Sequence, residues 1–290
     1  MIGVFDSGFG GLTVLSALVE RLPGFDYLYL GDSARAPYGG RSPRAVYEFT
    51  REAVEYLFDA GCPLVILACN TASARALRTL QQRHLPARRP DRRILGVVRP
   101  AAEALAGLPP DAPPGTTAPA ATGAAAVLGT AGTIASDSYR LELAKLAPRL
   151  LLIQQACPMW VPLVEAGELD GAGTEFFLRK YLDPVLAAAP QPERILLACT
   201  HYPLLRPAIR RIVDQAPGGG AAIEILDQGR LVADRLVTWM ARHPEMAARL
   251  GRGGARRYLT TDDPGWFSAR AEALLGIPIA AEAVRLPAVV

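Results

Sequence analysis

Two apolar runs that end in the same way constrain the fold of this chain more than any other feature. The segments 65–71 (VILACNT) and 195–201 (ILLACTH) each contain an apolar run, an alanine, a cysteine and then polar residues. Short continuous apolar runs of this kind predict strands of a parallel sheet that is covered on both faces. Cys69 and Cys199 therefore fall at the carboxyl ends of strands, where open α/β sheets place their active sites.

Strand and helix patterns alternate along the chain. The candidate strands are 2–5, 27–30, 64–68, 94–98, 125–129, 150–154, 194–198 and 223–226. Amphipathic helical patterns lie between them, such as Leu12, Leu15 and Leu18 on one face, and Gly61 suits a helix cap. This alternation predicts α/β architecture, with two doubly wound parallel-sheet domains because the strands are numerous and the cysteine motif repeats. The Pro- and Gly-rich segment 108–123 predicts a solvated, flexible loop, and 217–220 predicts a turn.

Composition narrows the possible functions. The chain has 290 residues and a formal net charge of +3, which gives little support to nucleic-acid binding. No apolar run reaches the roughly 18 residues of a membrane span, and the first residues lack a secretory signal, so we expect a cytoplasmic protein. The four cysteines lack C-x-x-C spacing, which argues against disulfides and gives little support to a metal site. We interpret Cys62 and Cys157 as small buried hydrophobic residues.

Two rare residue types carry further information. The only asparagine of the chain is Asn70, directly after Cys69, which indicates that a side-chain amide is needed there. The only lysines are Lys145 and Lys180, and both lie in helical patterns away from the loop motifs. Because pyridoxal phosphate is held through a lysine, this placement argues against that cofactor, and we expect none.

Three further motifs follow predicted strands. In 6–11 (DSGFGG), Asp6 and Ser7 either cap a helix or present a carboxylate and a hydroxyl to a substrate. The turn-rich loop 31–40 could cover a pocket with backbone N–H groups near Tyr38. Thr130 and Thr133 are either helix caps or ligands for a carboxylate.

The second cysteine has a histidine close by. His201 follows Cys199 by two residues, which favours an acid–base auxiliary, and Glu165 is a candidate carboxylate partner for it. Both strand-end thiols precede a predicted helix. A helix N-terminus lowers a thiol pKa below its usual value of about 8.5, so we expect Cys69 and Cys199 to be enriched in thiolate.

Taken together, these motifs resemble the glutamate racemases of the cofactor-independent aspartate/glutamate racemase superfamily. The matching segments are 5–11 (FDSGFGG), 37–39 (PYG), 68–72 (ACNTA), 129–133 (GTAGT), 156–158 (ACP), 161–165 (VPLVE) and 198–204 (ACTHYPL). They occur in family order and cover the chain from residue 2 to about residue 226. The sequence CTHYPL favours the glutamate branch, because aspartate racemases usually have Glu where His201 stands.

The resemblance implies two pseudo-symmetric domains, expected at 1–98 plus 208–290 and at 99–207, with the active site between them. It implies interconversion of L- and D-glutamate, D-glutamate supply for bacterial peptidoglycan and cell shape, and a homodimer. Cys69 would take the proton of the D-isomer and Cys199 that of the L-isomer, assisted by Asp6, His201 and Glu165. The implied substrate-binding residues are Asp6, Ser7, Pro37, Tyr38, Gly39, Asn70, Thr71, Thr130, Thr133, Thr200 and His201.

Other functions stay open on sequence grounds. A racemase of aspartate or another acidic amino acid is the nearest alternative. A malonate-decarboxylating relative uses one cysteine, so the second thiol counts against it. A non-catalytic, gyrase-binding family member is a different class, against which the intact Cys69, Cys199, Asp6 and His201 argue. Because the chain starts at its first strand, we also expect no activation by a peptidoglycan precursor.

Overall fold

A computed structural model describes residues 1–216 and 222–287. The strands in these ranges are β1 (Ile2–Asp6), β2 (Tyr27–Gly31), β3 (Leu64–Leu67), β4 (Arg93–Gly96), β5 (Ala124–Gly129), β6 (Leu151–Ala156), β7 (Arg194–Ala198), β8 (Glu224–Leu226), β9 (Arg256–Thr260) and β10 (Ala281–Ala283). The α-helices are α1 (Leu12–Arg21), α2 (Pro43–Asp59), α3 (Asn70–Arg75), α4 (Leu77–Thr79), α5 (Leu85–Arg88), α6 (Val98–Leu105), α7 (Ala131–Ile134), α8 (Ser138–Leu146), α9 (Trp160–Ala166), α10 (Ala172–Leu186), α11 (Arg206–Asp214), α12 (Gln228–Arg242), α13 (Pro244–Ala247) and α14 (Pro264–Leu275).

The strands form two parallel sheets that share one strand order. The first sheet has the order β10-β9-β2-β1-β3-β4, and the second has the order β6-β5-β7-β8. The order β2-β1-β3-β4 in the first sheet is therefore repeated as β6-β5-β7-β8 in the second. Every strand pair in both sheets is parallel. The prediction of two α/β domains is confirmed, and the two cysteine-bearing strands, β3 and β7, hold equivalent places.

The chain returns to the first domain later than residue 208, where the sequence predicted the return. β8 pairs with β7, with Glu224 opposite Arg194, so the segment up to Leu226 completes the second sheet. The chain returns to the first sheet only afterwards, when β9 pairs with β2. The physical reason is the repeat itself, since β8 is the fourth strand that corresponds to β4. We therefore place the return after β8.

Burial on both sheet faces explains why the strands read as apolar runs. All five residues of β1 are buried; Ile2 and Val4 belong to one hydrophobic cluster and Phe5 to another. Successive side chains of a strand point to opposite faces, so both faces of this central strand are covered. Full burial of each such side chain contributes about 1.5–3 kcal/mol. The helix before β3 ends as expected, with Gly61 at φ +88°, a conformation that strains other residues.

The segment 108–123 contains no helix or strand, as expected, but it is held against α12. Arg235 Nη1 donates hydrogen bonds of 2.8 Å to the carbonyl oxygens of Pro110 and Ala112, and the side chain of Ala112 is buried. The expectation of a solvated loop is confirmed, since most of its residues are exposed, while α12 supplies donors for two of its carbonyls. The turn predicted at 217–220 lies outside the described residues. No helix in the described ranges has the length and apolarity needed to cross a membrane.

Candidate active site

Cys69 lies between the end of β3 and the start of α3. Its Sγ accepts a hydrogen bond from the Ala72 backbone N–H at 3.4 Å and lies 3.6 Å from Ser7 Oγ. Burial and, next, the negative charge of Asp6 raise the pKa of Cys69 to about 12, while the Ala72 and Ser7 contacts oppose the rise. The expected lowering by the helix N-terminus is therefore wrong for Cys69, because loss of hydration outweighs one N–H contact.

Cys199 has a different environment at the end of β7. Its Sγ lies 3.9 Å from Nδ1 of His201, and the other ring nitrogen, Nε2, lies 3.3 Å from Glu165 Oε1. His201 Nε2 and Glu165 Oε1 are close enough for an ion pair, but their geometry is not that of a hydrogen bond. Burial lowers the pKa of His201, but Cys199 and Glu165 outweigh it and raise this pKa to about 10. His201 is therefore an imidazolium near neutral pH and would stabilise negative charge on the Cys199 sulfur.

Asp6, at the end of β1, connects the two thiol environments. The carboxylate is fully buried, and it accepts hydrogen bonds from the Gly8 N–H at 3.1 Å and from Thr200 Oγ1 at 3.3 Å. Burial raises the pKa of Asp6, and the nearby His201 charge opposes this rise. The helix-cap interpretation of Asp6 and Ser7 is wrong, since the N-cap of α1 is Gly11. A Cβ at Gly11 would lie 2.4 Å from Asp6 Cβ, so glycine keeps the space in which the carboxylate sits.

The loop after β2 brings Tyr38 and Gly39 to the second domain. The Tyr38 hydroxyl donates a short hydrogen bond to Asp32, which is fully buried and also accepts from Thr261 Oγ1 at 2.8 Å. A Cβ at Gly39 would lie 2.7 Å from Thr130 Cβ. A side chain at Gly39 would force Thr130 to shift, so the loop packs its backbone directly against the start of α7.

Three threonine hydroxyls meet across the domain boundary. Thr71 Oγ1 lies 3.0 Å from Thr130 Oγ1 and 3.3 Å from Thr133 Oγ1, and the last two lie 3.1 Å apart. Thr130 is also the N-cap of α7, because its hydroxyl accepts from the Thr133 N–H. The two interpretations of these threonines are therefore not exclusive: Thr130 is a cap and also faces the site.

One pocket lies among these groups, between the two domains. Its lining is Ser7, Gly8, Ala36, Pro37, Tyr38, Gly39, Cys69, Asn70, Thr71, Thr130, Val161, Glu165, Cys199, Thr200 and His201. Both thiols predicted to act together therefore face the same space. The cavity volume is about 20 Å³, room for about one water molecule.

Most of the predicted site residues line this pocket, but two do not. Asp6 lies behind it and is linked to the lining through Thr200, and Thr133 lies behind Thr71 and Thr130. Sequence reasoning missed Gly8, Ala36 and Val161 as lining residues, although each lies within or beside a motif that it had singled out. It also missed Asp32, whose place directly after β2 matches that of polar residues after β1, β3 and β7 and could have identified it.

The remaining cysteines and the two lysines lie elsewhere. Cys62 and Cys157 are buried and do not line the pocket, and burial raises both pKa values, that of Cys62 to about 11. Their interpretation as core residues is confirmed. Lys145 pairs with Glu142 on α8, and Lys180 lies on α10, so neither lysine lines the pocket.

Fold and pocket together define a two-domain α/β enzyme whose polar and thiol groups meet at the domain boundary. Proteins named glutamate racemase from Ruegeria sp. (strain TM1040) and Ruegeria pomeroyi are 40% and 41% identical to the chain, over 97% and 94% of its length and 99% and 96% of theirs. The chain therefore belongs to the glutamate racemase family, whose members are isomerases. No family model matches it.

Solved structures agree with this assignment. The glutamate racemase isoform RacE1 of Bacillus anthracis matches with a TM-score of 0.83 and 32% identity, covering 99% of this chain and 98% of that one. The Francisella tularensis glutamate racemase, determined in complex with D-glutamate, matches with a TM-score of 0.81 and 27% identity, covering 98% and 97%. The two-domain fold, with its two sheets, is thus shared with solved glutamate racemases.

Proposed function

We propose that the chain interconverts L- and D-glutamate without a cofactor, with Cys69 and Cys199 as the two proton-transferring groups. The observation that carries this proposal is the presence of both thiols in one pocket, each after the equivalent strand of its sheet. Inversion at Cα needs a base on one face and an acid on the other. Two sulfurs contributed by opposite domains meet that requirement.

The surroundings of the two thiols support one starting state of the site. Burial and Asp6 raise the pKa of Cys69, so its sulfur starts as a thiol. The Cys199 sulfur lies beside the protonated His201, which stabilises a thiolate. A free cysteine is only a few per cent thiolate near neutral pH, so a neighbouring positive charge helps this sulfur to act as a base. In this state Cys199 takes the proton from L-glutamate.

Proton transfer then proceeds in two steps. The Cys199 thiolate takes the Cα proton, so the Cα–H bond breaks, an S–H bond forms, and the electron pair remains on Cα and its carboxylate. Cys69 then gives its proton to the opposite face of Cα, which forms D-glutamate and leaves a Cys69 thiolate. The reverse reaction starts from that thiolate. Thr200 and the Asp6 carboxylate link the two thiol environments through one hydrogen bond.

The hydroxyl-rich lining supports binding of an amino acid with two carboxylates. Ser7, Thr71, Thr130 and Thr200 all line the pocket and can donate hydrogen bonds to carboxylate oxygens. Donors that face the charge developing on the α-carboxylate supply much of the stabilisation of such a transition state. Because the pocket has room for about one water molecule, we infer that the domains separate to admit glutamate and close around it for catalysis.

For the wider role, we propose that the product D-glutamate supplies peptidoglycan synthesis and cell shape in the bacterial cytoplasm, and that the protein acts as a homodimer. The support is the name and bacterial source of the relatives, whose length the chain matches nearly throughout.

The test is incubation of the protein with each glutamate enantiomer in deuterated water, with no cofactor added. We expect both enantiomers to racemise, with deuterium at Cα of the product, as followed by circular dichroism and proton NMR. L-aspartate serves as the competing substrate and should turn over far more slowly. Equal turnover of aspartate would favour a broader acidic amino-acid racemase. No exchange with any of these substrates would overturn the enzyme assignment in favour of a binding role, which a pull-down with gyrase would then examine.

A further inference from the structure

Asn70 takes part in a closed network of three buried side chains that the reaction described above does not use. Asn70 Nδ2 donates to Gln228 Oε1 at 2.7 Å, and Gln228 Nε2 donates back to Asn70 Oδ1 at 3.0 Å. The Tyr139 hydroxyl donates to Asn70 Oδ1 at 2.7 Å and accepts from Gln228 Nε2 at 2.9 Å. The exposed fractions of Asn70, Gln228 and Tyr139 are 2%, 5% and 0%.

This network fixes which end of the Asn70 amide is available to the pocket. An asparagine side chain offers two acceptor sites on Oδ1 and two donor hydrogens on Nδ2. Tyr139 and Gln228 fill both acceptor sites, and Gln228 takes one donor hydrogen. In the part of the chain that the structure describes, no third side chain takes the second hydrogen. Since Asn70 lines the pocket, the amide can offer a bound ligand only a donor.

A backbone carbonyl makes this orientation one-sided. Two amides that bond each other reciprocally could both rotate by half a turn, and the Tyr139 hydroxyl could then donate to Gln228 and accept from Asn70. The Val97 carbonyl oxygen lies 3.5 Å from Gln228 Nε2 and can only accept, so it favours the orientation in which Asn70 Oδ1 accepts from Gln228 and Tyr139. Burial raises the pKa of Tyr139, so its hydroxyl stays protonated and keeps that donor.

The three residues also come from three separate places in the fold. Asn70 begins α3 in the first domain, Tyr139 lies on α8 in the second, and Gln228 begins α12, where the chain crosses back between them. The orientation of the amide is therefore set by the two domains in the arrangement described here.

We propose that Gln228 and Tyr139 are positioning residues, which hold the Asn70 amide as a hydrogen-bond donor to a carboxylate of the amino-acid substrate. This inference rests on the proposed function. A carboxylate accepts hydrogen bonds and cannot donate them, so a reversed amide would present an oxygen to it and repel it. Loss of one such hydrogen bond to a charged group corresponds to about a tenfold loss of affinity or more.

The test compares Tyr139→Phe and Gln228→Met with Tyr27→Phe. The control also removes a fully buried hydroxyl, which bonds the carbonyl oxygens of Leu18 and Leu22 away from the pocket. We expect the Kd for D-glutamate, measured by calorimetry, and the KM to rise about tenfold in the first two variants, with a smaller loss in kcat. Tyr27→Phe should leave the Kd and the KM unchanged, although its melting temperature should fall by about as much as that of Tyr139→Phe.

A double-mutant cycle shows whether Tyr139 acts through Asn70. In an Asn70→Ala background, Tyr139→Phe should change Kd by less than twofold, because the amide that it orients is absent. Two results would overturn the positioning role alone, provided that the wild type turns over glutamate. One is an unchanged Kd in Tyr139→Phe. The other is the same rise in Kd when Tyr139→Phe is made in the wild type and in Asn70→Ala. Absence of both turnover and glutamate binding in the wild type would overturn the proposed function and this inference together.

Discussion

Cys69 and Cys199 occupy equivalent positions, because each lies within two residues of the end of the third strand in the repeated order β2-β1-β3-β4 and β6-β5-β7-β8. Their chemical surroundings are nevertheless opposite. Cys69 lies near the buried carboxylate Asp6, and Cys199 lies near the protonated His201. The fold thus repeats the position of the thiol while the charged residues beside each sulfur differ.

Close packing at Gly39 should matter for catalysis. A Cβ at this position would lie 2.7 Å from Thr130 Cβ, across the domain boundary. Gly39→Ala should therefore hinder domain closure and lower kcat/KM about tenfold or more, since overpacking costs about 1–3 kcal/mol. The matched control is Gly40→Ala, where an added Cβ meets nothing within 4 Å. Steady-state kinetics of the two variants, with melting temperatures, checks this; equal kcat/KM values would contradict it.

His201 should make the stability of the protein depend on pH. Its pKa is raised from about 6.5 in the unfolded chain to about 10 in the fold, so protonation stabilises the folded state. This contribution is fully present below about pH 6.5 and is lost as the pH rises through about 10. The melting temperature of the wild type minus that of His201→Asn should therefore shrink over that interval. A difference that stays constant with pH would show that His201 is neutral in the fold.

His201→Asn should also slow the proposed reaction, because His201 Nδ1 lies 3.9 Å from the Cys199 sulfur and a protonated ring there stabilises negative charge on it. Loss of an acid–base auxiliary costs about 10²–10⁴-fold in rate. Glu165→Gln should cost less, since Glu165 contacts the ring only at 3.3 Å and its side chain is 36% exposed. Rates with L-glutamate under saturating conditions give this comparison, and a larger effect of Glu165→Gln would reverse the assigned roles.

Asp6→Asn should lower the pKa of Cys69. The carboxylate charge of Asp6 is the second cause of its elevation, after burial, and asparagine keeps the size of the side chain without the charge. The rate of alkylation of Cys69 by iodoacetamide, mapped by mass spectrometry over a range of pH, should therefore rise at lower pH in the variant. Cys62, which does not line the pocket, is the internal reference in the same digest. If the alkylation rate of Cys69 depends on pH in the same way in the wild type and in Asp6→Asn, then the charge of Asp6 does not affect the pKa of Cys69.

Much of the fold could be predicted from the sequence because its strands are buried on both faces. The eight predicted strands all exist, with ends shifted by at most two residues, as at β6. β9 and β10 were missed because Arg256, Arg257 and Glu282 give them a charged, partly exposed pattern near the sheet edge. The assignment of β8 to the second sheet depends on strand pairing between distant segments, which local patterns do not contain.

The site could be predicted as a set of motifs, but its electrostatics could not. The sequence indicated a helix after Cys69, which lowers a thiol pKa, yet the depth of burial that raises it emerges only from the packed structure. In the same way, the lone asparagine indicated that an amide is needed at Asn70. Its partner Gln228 lies 158 residues further along the chain and has no local signal of its own.

The central claim is that two thiols serve opposite faces of one Cα, and the most direct test measures exchange in single-thiol variants. Cys69→Ala and Cys199→Ala are incubated with each glutamate enantiomer in deuterated water, with Cys62→Ala as a buried-thiol control. We expect Cys62→Ala to racemise both enantiomers. The two site variants should lose racemisation, with any residual Cα exchange confined to the L-isomer in Cys69→Ala and to the D-isomer in Cys199→Ala. Full racemisation by either site variant would contradict the two-thiol account.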